Sequence, residues 1–492
     1  MVLRTERAYD PRALRTSRPP SPLFVAALLP LASLLTLTVG CADEPATQVA
    51  SVPDAADESD LKASKPLTAK SFAKPLTKAV LRVSNDNLPD ELFATKWSAT
   101  LADSAVMFAR AYPGAFHADL AQVERSSLPG KDALCFGDAH PDNFGFLRLS
   151  DDTRYLYNDL DDAGFCTASV DALRYFAIVR LYFGDEALTA ELVEAYVDGL
   201  KDPSRREDIA SSLSPSWSKV REKGLAKAVS ADRFVEGGDD GLAPASTVDS
   251  AAVRAALGKV SALAGAETLD VATLDRTTGG SGGLARFWIL LNPSPGAAGA
   301  KKTIYELKEM ATPGTERGRS SQILDPKTRL AELKATFWET DTETDYVEVK
   351  LQGKRFLLRD RLAKKSVDLD ELSKSDRAAV LAVQAGLLAA RHESALDNVK
   401  KDDLRPWLLA SSAVVAERWQ ALFDASVAAR LDRAGAPRQR PGPAGHSPRK
   451  AVGLGVRLQM PLKCRLAPRQ LVLRGSMSLL ARGLHPRRKV LR

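Results

Sequence analysis

A polar cluster follows an apolar run in the stretch LCFGDAHPDNFG, residues 134–145. Two carboxylates about 4 Å apart repel each other by roughly 4 kcal/mol at an effective dielectric constant of about 20. The cluster therefore predicts a bound cation, and its oxygen atoms suit a hard cation such as Mg²⁺. The alternative is a set of Asx turns that cap strand ends. The polar residues of the cluster are Asp138, His140, Asp142 and Asn143.

A second acidic segment ends another apolar run, in YLYNDLDDAG, residues 155–164. A hairpin between the two runs would bring the two segments together. We expect Asn143 and Asp159 to hold the metal ion, with Asp161 as an auxiliary ligand. Asp138 would then orient an acceptor hydroxyl and accept its proton, as in phosphoryl transfer. The spacing between Asp138 and Asn143 also fits the kinase pattern D-x-x-x-x-N.

A phosphate-binding segment is expected downstream, in TGGSGGLARFWILL, residues 278–291. Glycines let backbone N–H groups approach a phosphate, and a lysine in IYELKEM adds a positive charge. The alternatives are a flexible turn between strands and an exposed strand lysine. The residues predicted to bind nucleotide or phosphate are Gly280, Ser281, Gly282, Gly283 and Lys308.

Two side chains of the first cluster, His140 and Asp142, and one that precedes it, Arg110, are interpreted as supporting or solvated. His140 holds the loop by a hydrogen bond, with a role as base or ligand as the alternative. Arg110 neutralises the acids or binds phosphate, and an ordinary surface ion pair is equally consistent with its position. Asp142 is interpreted as a solvated turn acid.

Other polar residues are expected to be structural. His392 in LLAARHES is interpreted as a core histidine, and Arg359 and Arg361 in FLLRDRL as solvent-facing residues on an edge strand. The four cysteines show no CxxC spacing, which argues against a disulfide framework or a zinc site. Cys135 and Cys166 are therefore expected to be small buried apolar residues.

The two acidic segments resemble those of aminoglycoside- and choline-type phosphotransferases, which carry GD-x-H-x-x-N and IDFDDA. The chain has GDAHPDN and NDLDDA, with Phe136 where those proteins usually have histidine. The resemblance is closer to a bacterial family called domain of unknown function 2252. The similarity covers roughly residues 90–400. It departs where the chain has FARA and the family has FRG, and again at a divergent glycine-rich segment. The segments in common are MFARAY, GDAHPDNFG, NDLDDAG, TGGSGGLAR and YELKEM, in that order.

Charge is unevenly distributed along the 492 residues. Residues 433–492 contain 15 Lys/Arg and no Asp/Glu, so subtracting fifteen from the net charge of +7 leaves −8 for residues 1–432. The tail is rich in Pro, Gly and Arg and lacks periodicity, which is typical of a disordered extension. We expect no specific binding of nucleic acid.

The amino terminus resembles a bacterial export signal. Basic residues precede the apolar stretch LFVAALLPLASLLTLTVG, residues 23–40, and Cys41 follows directly. The ending TVGC resembles a lipobox, which implies a lipid-anchored protein of the cell envelope. The alternatives are a retained membrane helix and a misassigned start codon, the latter implying a cytoplasmic protein.

The pattern of apolar residues is helical, then strand-rich, then helical again, which predicts an α+β protein. With the motifs above, it indicates a kinase-like fold in permuted order, because the nucleotide-binding lobe follows the catalytic lobe. The predicted divisions are an export signal (1–41), a flexible linker (42–75), a helical lobe with the acidic loops (76–247), a β-rich lobe (248–370), carboxy-terminal helices (371–432) and a disordered basic tail (433–492).

Three functions fit this sequence. The first is a Mg²⁺-dependent phosphotransferase that uses ATP or a related nucleotide and acts on an unidentified small-molecule hydroxyl. The second is a catalytically silent kinase-like binding or scaffold protein of the envelope. The third, a metal-dependent hydrolase built on the same acids, ranks last because no second metal site is evident.

Overall fold

The computed structural model describes most of the chain between residues 64 and 433. The gaps in this range are 150–151, 203–208, 238–240, 261–262, 264, 293–300 and 341–345. Three predicted features lie outside the described residues: the export signal with Cys41, residues 42–63 of the linker, and residues 434–492 of the basic tail.

Helices form where apolar residues recur at helical spacing, and several have capped ends. Gly184, with φ of 59°, ends one helix, and the Asp185 side chain accepts the Leu188 N–H at the start of the next. Ser373 caps a later helix by accepting the Asp376 N–H. The described helices are α1 (Lys78–Val83), α2 (Asp90–Leu101), α3 (Ala105–Arg110), α4 (Pro113–Leu120), α5 (Ala168–Phe183), α6 (Glu186–Lys201), α7 (Trp217–Ala228), α8 (Thr247–Leu257), α9 (Arg329–Phe337), α10 (Lys374–His392) and α11 (Lys401–Arg433).

The helix α5 lies at the centre of the helical part of the molecule. Residues 168–180 are all buried, so this helix is covered on every side rather than amphipathic, as a helix of apolar residues requires. The next helix, α6, has the predicted single apolar face, which includes Leu192, Tyr196 and Leu200. Charged residues inside α5 are therefore candidates for structural or functional roles.

The strands of the described residues form four antiparallel groups. The largest sheet has six strands in the order β11-β12-β10-β9-β8-β7, and a smaller one has the order β13-β2-β3; β1 pairs with β4, and β5 with β6. Their bounds are β1 (Asp132–Cys135), β2 (Phe144–Leu149), β3 (Asp152–Tyr157), β4 (Gly164–Thr167), β5 (Val229–Ser230), β6 (Arg233–Phe234), β7 (Leu242–Pro244), β8 (Glu267–Leu274), β9 (Arg286–Asn292), β10 (Thr303–Glu309), β11 (Tyr346–Leu351), β12 (Lys354–Asp360) and β13 (Lys364–Lys365).

Both faces of the six-stranded sheet are covered, because neighbouring side chains of a strand point to opposite faces. Ile289 and Leu307 pack with Val253 of α8 on one face. Trp288 and Leu290 pack with Phe234 on the other. The apolar run FWILL in β9 is therefore buried along its length.

The described residues all belong to one compact unit, and its mixture of helices and strands confirms the predicted α+β class. The predicted β-rich lobe contains β8–β12 together with α8 and α9. Residues 201–247, expected to be an insertion or a loose helical segment, contribute α7 and the short strands β5–β7. Of these, β7 extends the large sheet by pairing with β8.

The packed core begins before the end of the predicted linker. Leu67 and Phe72 are buried, and the Leu67 N–H donates to Ser411 Oγ at 3.0 Å. In the described part of the chain, no helix combines the length and the apolar character that crossing a bilayer demands.

Candidate functional site

The two acidic segments are connected by paired strands on both sides. The strands β1 and β4 pair with Cys135 opposite Gly164, and β2 and β3 pair with Phe144 opposite Tyr157. The Asn158 N–H donates to the Asn143 carbonyl at 2.9 Å, which extends the β2–β3 hairpin. The predicted hairpin is confirmed, and it brings residues 136–143 beside residues 158–163.

A disulfide joins the two strands that precede and follow these loops. Cys135 of β1 is bonded to Cys166 of β4, with Cα atoms 5.7 Å apart. The prediction that both cysteines are merely buried apolar residues is therefore wrong. Sequence spacing did not reveal the bond because the pairing depends on the β1–β4 register, which places Ala133 opposite Cys166.

The loop after β1 approaches the second loop closely at Gly137. This residue has φ of 78°, and a Cβ atom on it would lie 2.0 Å from the Asp162 carbonyl oxygen. The N–H groups of Phe136 and Gly137 donate to the buried carboxylate of Asp171 on α5 at 2.8 and 2.9 Å. The backbone before Asp138 is thus fixed by α5.

His392 completes this support from α10. Its Nε2 lies 3.2 Å from Asp171 Oδ2, and its Nδ1 lies 2.8 Å from the hydroxyl of Tyr196. His392 is therefore a core histidine with both ring nitrogens paired, as the sequence predicts. It also lies near Cys135 and Asp171 in a geometry compatible with metal binding, but the disulfide occupies Cys135.

Asp138 is held as a carboxylate by a buried arginine. Arg174 Nε on α5 donates to Asp138 Oδ1 at 3.0 Å, and Asn143 Nδ2 donates to Asp138 Oδ2 at 3.1 Å. His140 Nε2 lies 3.5 Å from the same Oδ2. Burial alone would raise the pKa of Asp138, but Arg174 and then His140 outweigh it and hold this pKa far below its ordinary value.

Asp159 and Asp161 face the lysine predicted from the second half of the chain. Lys308 Nζ on β10 lies 2.9 Å from Asp159 Oδ2 and also contacts Asp161. Burial alone would lower the pKa of Lys308, but Asp159 and Asp161 outweigh burial and raise it. Burial and the neighbouring Asp159 raise the pKa of Asp161, whereas Lys308 and Arg359 overcome burial and lower the pKa of Asp159.

Asp162, which the sequence left without a role, also lines the cleft. Its Oδ1 accepts the Gly314 N–H at 2.9 Å. Burial, followed by repulsion from Asp138 and Asp161, raises the pKa of Asp162 to about 7. A Cβ atom on Gly280 would lie 3.8 Å from both Asp138 Oδ2 and Asp162 Oδ2, so the glycine-rich loop covers these acids.

The glycine-rich loop connects β8 to β9 and faces the acids with only part of its length. Gly280 and Ser281 line the cleft, but Gly282 and Gly283 do not. The N–H groups of Gly282 and Gly283 donate to the carbonyls of Gly279 and Arg276 inside the loop. Consequently, these two predicted phosphate ligands have their backbone donors occupied.

The loop is attached to the helical lobe through α2. The buried Lys96 Nζ donates to the Gly280 carbonyl at 2.7 Å and to Asn85 Oδ1 at 3.0 Å. Gly283 packs close to Leu88, since a Cβ atom on it would lie 3.3 Å from the Leu88 side chain. Sequence reasoning did not identify Lys96, which is an unusual buried lysine in an otherwise ordinary helix.

Basic residues of the large sheet form the opposite wall. Arg359 Nε donates to Glu306 Oε2 at 2.8 Å, and Arg286 Nη1 donates to Glu306 Oε1 at 2.8 Å. Arg359 is buried and β12 lies between β11 and β10, so the prediction of a solvent-facing residue on an edge strand is wrong. Arg361, predicted likewise, stacks on Trp288 at 4.1 Å and lines the cleft.

The remaining predicted residues lie at the rim. Arg110 of α3 pairs with Asp142 at 2.5 Å, and both side chains are partly exposed. Asp142 is therefore ion-paired rather than simply solvated. His140 is buried, and its contact with Asp138 agrees with the supporting role assigned from the sequence.

These groups line one cleft of about 330 Å³. It brings together Asp138, Asn143, Asp159, Asp161 and Lys308 with Gly280 and Ser281.

The functional residue that the sequence missed most clearly is Arg174. Its available signal was a charge within a helix of apolar residues, where an unpaired charge is not tolerated.

Comparisons with known proteins match only part of the chain. No curated protein and no solved structure matches it. Residues 90–197 match a family model described as "Uncharacterized protein conserved in bacteria (DUF2252)". This range contains both acidic segments, whereas the glycine-rich loop and Lys308 lie beyond it. The resemblance predicted from the sequence motifs is thereby confirmed over residues 90–197, which are similar to this bacterial family.

Proposed function

We propose that this protein is a Mg²⁺-dependent phosphotransferase that moves a phosphoryl group from a phosphoanhydride donor, such as ATP, to a hydroxyl acceptor. One observation carries the proposal. Acids of two loops, Asp138 and Asp159, share a cleft with Lys308 and the glycine-rich loop of the sheet. Phosphoryl transfer needs this combination of metal ligands and phosphate-binding cations.

The donor atoms fit a hard divalent cation. Asn143, Asp159 and Asp161 offer the oxygen atoms that Mg²⁺ prefers. Asp161 Oδ1 is buried and has no hydrogen-bond partner among the described residues, which is unfavourable unless a cation satisfies it. A bound Mg²⁺ would neutralise charge on the transferred phosphoryl group. These three residues would hold it, and Asp159 and Asp161 would give up part of their present contacts with Lys308.

The order of the strands supports a kinase-like lobe. The glycine-rich loop lies between β8 and β9, and Lys308 lies on the next strand, β10. In protein kinases, a glycine-rich loop covers the phosphates and the lysine lies on the third strand. Here this lobe follows the acidic loops in the chain, so the proposed fold is a circular permutation of the kinase order.

One element differs from the kinase arrangement. The kinase lysine pairs with a glutamate of the helix that follows its strand. Here the following helix, α9, uses Arg329 to donate to the backbone carbonyls of residues 160, 161 and 163. Lys308 pairs with Asp159 and Asp161 instead. The second acidic loop is therefore fixed from the sheet side by Arg329.

The reaction follows from these positions. Asp138 Oδ2 accepts a hydrogen bond from the acceptor hydroxyl and directs its oxygen at the terminal phosphorus. A new O–P bond forms as the bridging P–O bond of the donor breaks. The hydroxyl proton passes to Asp138, and the shortened phosphate leaves as an anion beside Lys308. The low pKa of Asp138 makes it an orienting group first and a proton acceptor late in the step.

Replacement of Asp138 by asparagine tests this assignment. We expect Asp138→Asn to lower the rate of Mg²⁺-dependent phosphoryl transfer by about 10²–10⁴-fold. The rate is measured as free phosphate formed in water or as phosphorylated product formed from added polyols. Arg174 would keep its partner through the amide oxygen, so the fold should persist. Asp152→Asn, at an exposed site on β3, is the matched control. Equal turnover in the Asp138→Asn variant would remove Asp138 from the mechanism.

A silent binding protein is the second candidate. The observation in its favour is that Arg174 and Lys308 already pair with the principal acids, Asp138 and Asp159. Such a protein would bind Mg²⁺ with a donor but release no phosphate. Binding of Mg²⁺ and a donor detected by calorimetry, without turnover, would support this function. Phosphate release from simple esters in the absence of any phosphoanhydride would instead indicate the third candidate, a metal-dependent hydrolase.

We also propose that the chain is a lipoprotein of the cell envelope, anchored in the membrane through Cys41. The disulfide between Cys135 and Cys166 supports export, because disulfides persist mainly in oxidising compartments. A cytoplasmic protein with a misassigned start codon is the alternative. In the envelope, the donor and the acceptor must both be available outside the cytoplasm.

A further inference from the structure

The cleft lacks the surface that a purine base requires. Ligand sites for aromatic rings are lined mainly by hydrophobic and aromatic side chains. Of the residues that line this cleft in the described part of the chain, only Leu284 and Ala311 carry apolar side chains, and none is Phe, Tyr or Trp. The cleft volume of about 330 Å³ is also near the lower end of the usual range of roughly 300–1,000 Å³.

Charged groups occupy the space between the sheet and the helical lobe. Glu306 of β10 is fully buried and pairs with Arg286 and Arg359, which both line the cleft. Insertion of an aromatic ring beside this network would remove water from charged atoms without offering them hydrogen bonds. Such desolvation is costly. The network therefore disfavours a base and leaves room only for polar or charged ligands.

The positive charge near Asp159 exceeds the negative charge of its carboxylate. Lys308 binds it directly, and Arg359 Nη1 lies 3.7 Å from its Oδ1. This Nη1 atom is buried and has no hydrogen-bond partner among the described residues. Lys364 of β13, the strand that pairs with β2, also acts electrostatically on Asp159 but forms no ion pair with the described residues. An anion would satisfy both Arg359 and Lys364.

The adjacent groups can donate hydrogen bonds to the same anion. Asn158 and Ser366 line the cleft beside Lys364, and their side chains lie 3.4 Å apart. Burial and then the neighbouring Arg359 lower the pKa of Lys364 to about 7, so the surroundings disfavour the charged form of Lys364. A bound phosphate would relieve this effect. The arrangement resembles a second phosphate position, distinct from that of Lys308.

We propose that the donor is a compact inorganic polyphosphate, recognised by several phosphates and without a base-binding contact. This inference rests on the proposed function and specifies its substrate class. One phosphate lies beside Lys308 and the glycine-rich loop, and another beside Lys364 and Arg359. Transfer breaks the terminal P–O bridging bond, the acceptor oxygen takes the phosphoryl group, and the polyphosphate shortened by one unit leaves with the bridging oxygen.

Titration calorimetry of the full chain with tripolyphosphate, ATP and adenosine, each with Mg²⁺, tests the inference. We expect tripolyphosphate to bind as tightly as ATP or more tightly, and adenosine to show no binding. Lys364→Gln should weaken tripolyphosphate binding by about tenfold, the effect of roughly 1.4 kcal/mol. Lys365→Gln is the matched control, because this neighbouring strand residue is exposed.

Three results would contradict the inference, and they can be told apart. ATP binding more than tenfold tighter than tripolyphosphate, with measurable adenosine binding, would show that a base is recognised while the proposed transferase stands. Absence of binding by both ATP and tripolyphosphate would contradict the proposed function itself. Unchanged affinity in Lys364→Gln would remove the second phosphate position.

Discussion

Asp138 is the most constrained side chain of the cleft. Arg174 holds one of its oxygens from inside α5, while Asn143 and His140 contact the other. The buried arginine stabilises the ionised form, because an unpaired charge in this position would be strongly unfavourable. The chain has therefore fixed the protonation and the direction of Asp138 before any ligand binds. Asp159 and Asp161 instead depend on the buried ammonium group of Lys308 for charge balance.

Lys308→Met tests that dependence. The variant leaves Asp159 and Asp161 as buried neighbours without their shared cation, so the free energy of unfolding should fall by about 3–5 kcal/mol. Millimolar Mg²⁺ should restore part of this loss and should stabilise the variant more than the wild type. Urea unfolding with and without Mg²⁺ measures both effects.

The control is Lys354→Met, because Lys354 pairs with Glu309 at an exposed position of the same sheet. Its effect should stay within about 1 kcal/mol. If Mg²⁺ left the Lys308→Met variant as unstable as before, Asp159 and Asp161 would not be cation ligands.

At the residue scale, the sequence indicated the acids and Lys308 but gave no sign of Arg174, the partner of Asp138. Asp138, Asn143 and Asp159 were identifiable because their spacing is unusual for a loop. Arg174 was not, since a single arginine in DALRYFAIVR carries no spacing signal. Its role depends on the side of α5 that faces the first loop, which only the packed structure determines.

The helix α2 and the glycine-rich loop act as one element. Lys96 donates to the Gly280 carbonyl, and Gly283 packs beside Leu88, so the loop is held over Asp138 and Asp162. The sequence correctly indicated a loop between strands. It could not predict that the N–H groups of Gly282 and Gly283 turn into the loop, because glycine permits many directions and specifies none.

The pH dependence of stability, compared between the wild type and Lys96→Met, should reveal the lowered pKa of the buried Lys96. Burial lowers the pKa of Lys96 from 10.5 to about 7, although Asp162 and Asp138 oppose the shift. Between about pH 7 and 10.5 the unfolded chain binds this proton and the folded chain does not. The wild type should therefore gain stability relative to Lys96→Met as pH rises through this window, by up to roughly 1.4 kcal/mol per unit.

Below pH 7 both states carry the proton, so the difference between wild type and variant should be constant there. Chemical unfolding of both proteins from pH 6 to 9 measures it. A difference that stays the same from pH 7 to 9 would show that Lys96 keeps its charge when buried.

At the scale of the whole molecule, one cleft joins the acidic segment that ends at Gly164 with the glycine-rich segment that begins at Thr278. The order of helical and strand-rich regions was predictable from periodicity, since long amphipathic and apolar runs dominate local structure. The disulfide was not predictable, because four cysteines without regular spacing do not indicate pairing. It joins β1 to β4, and thereby fixes both acidic loops to one support.

The redox state of the two cysteines in cells tests the proposed compartment of the protein. Protein trapped with acid and alkylated directly from cells should contain Cys135 and Cys166 in oxidised form, as export requires. Reduction should lower the free energy of unfolding by about 2–5 kcal/mol. A Cys135→Ala and Cys166→Ala double variant, unaffected by reductant, is the control. Free thiols in freshly trapped protein would favour the cytoplasmic alternative.

The central claim is that Asn143 of the first loop and Asp159 and Asp161 of the second loop share one metal ion opposite a phosphate. Crystals grown with Mn²⁺ in place of Mg²⁺, together with tripolyphosphate, test it through the anomalous scattering of manganese. We expect an anomalous peak about 2.0–2.2 Å from oxygen atoms of Asn143, Asp159 and Asp161, next to a phosphate oxygen. Bound tripolyphosphate with no metal on these residues would contradict the claim.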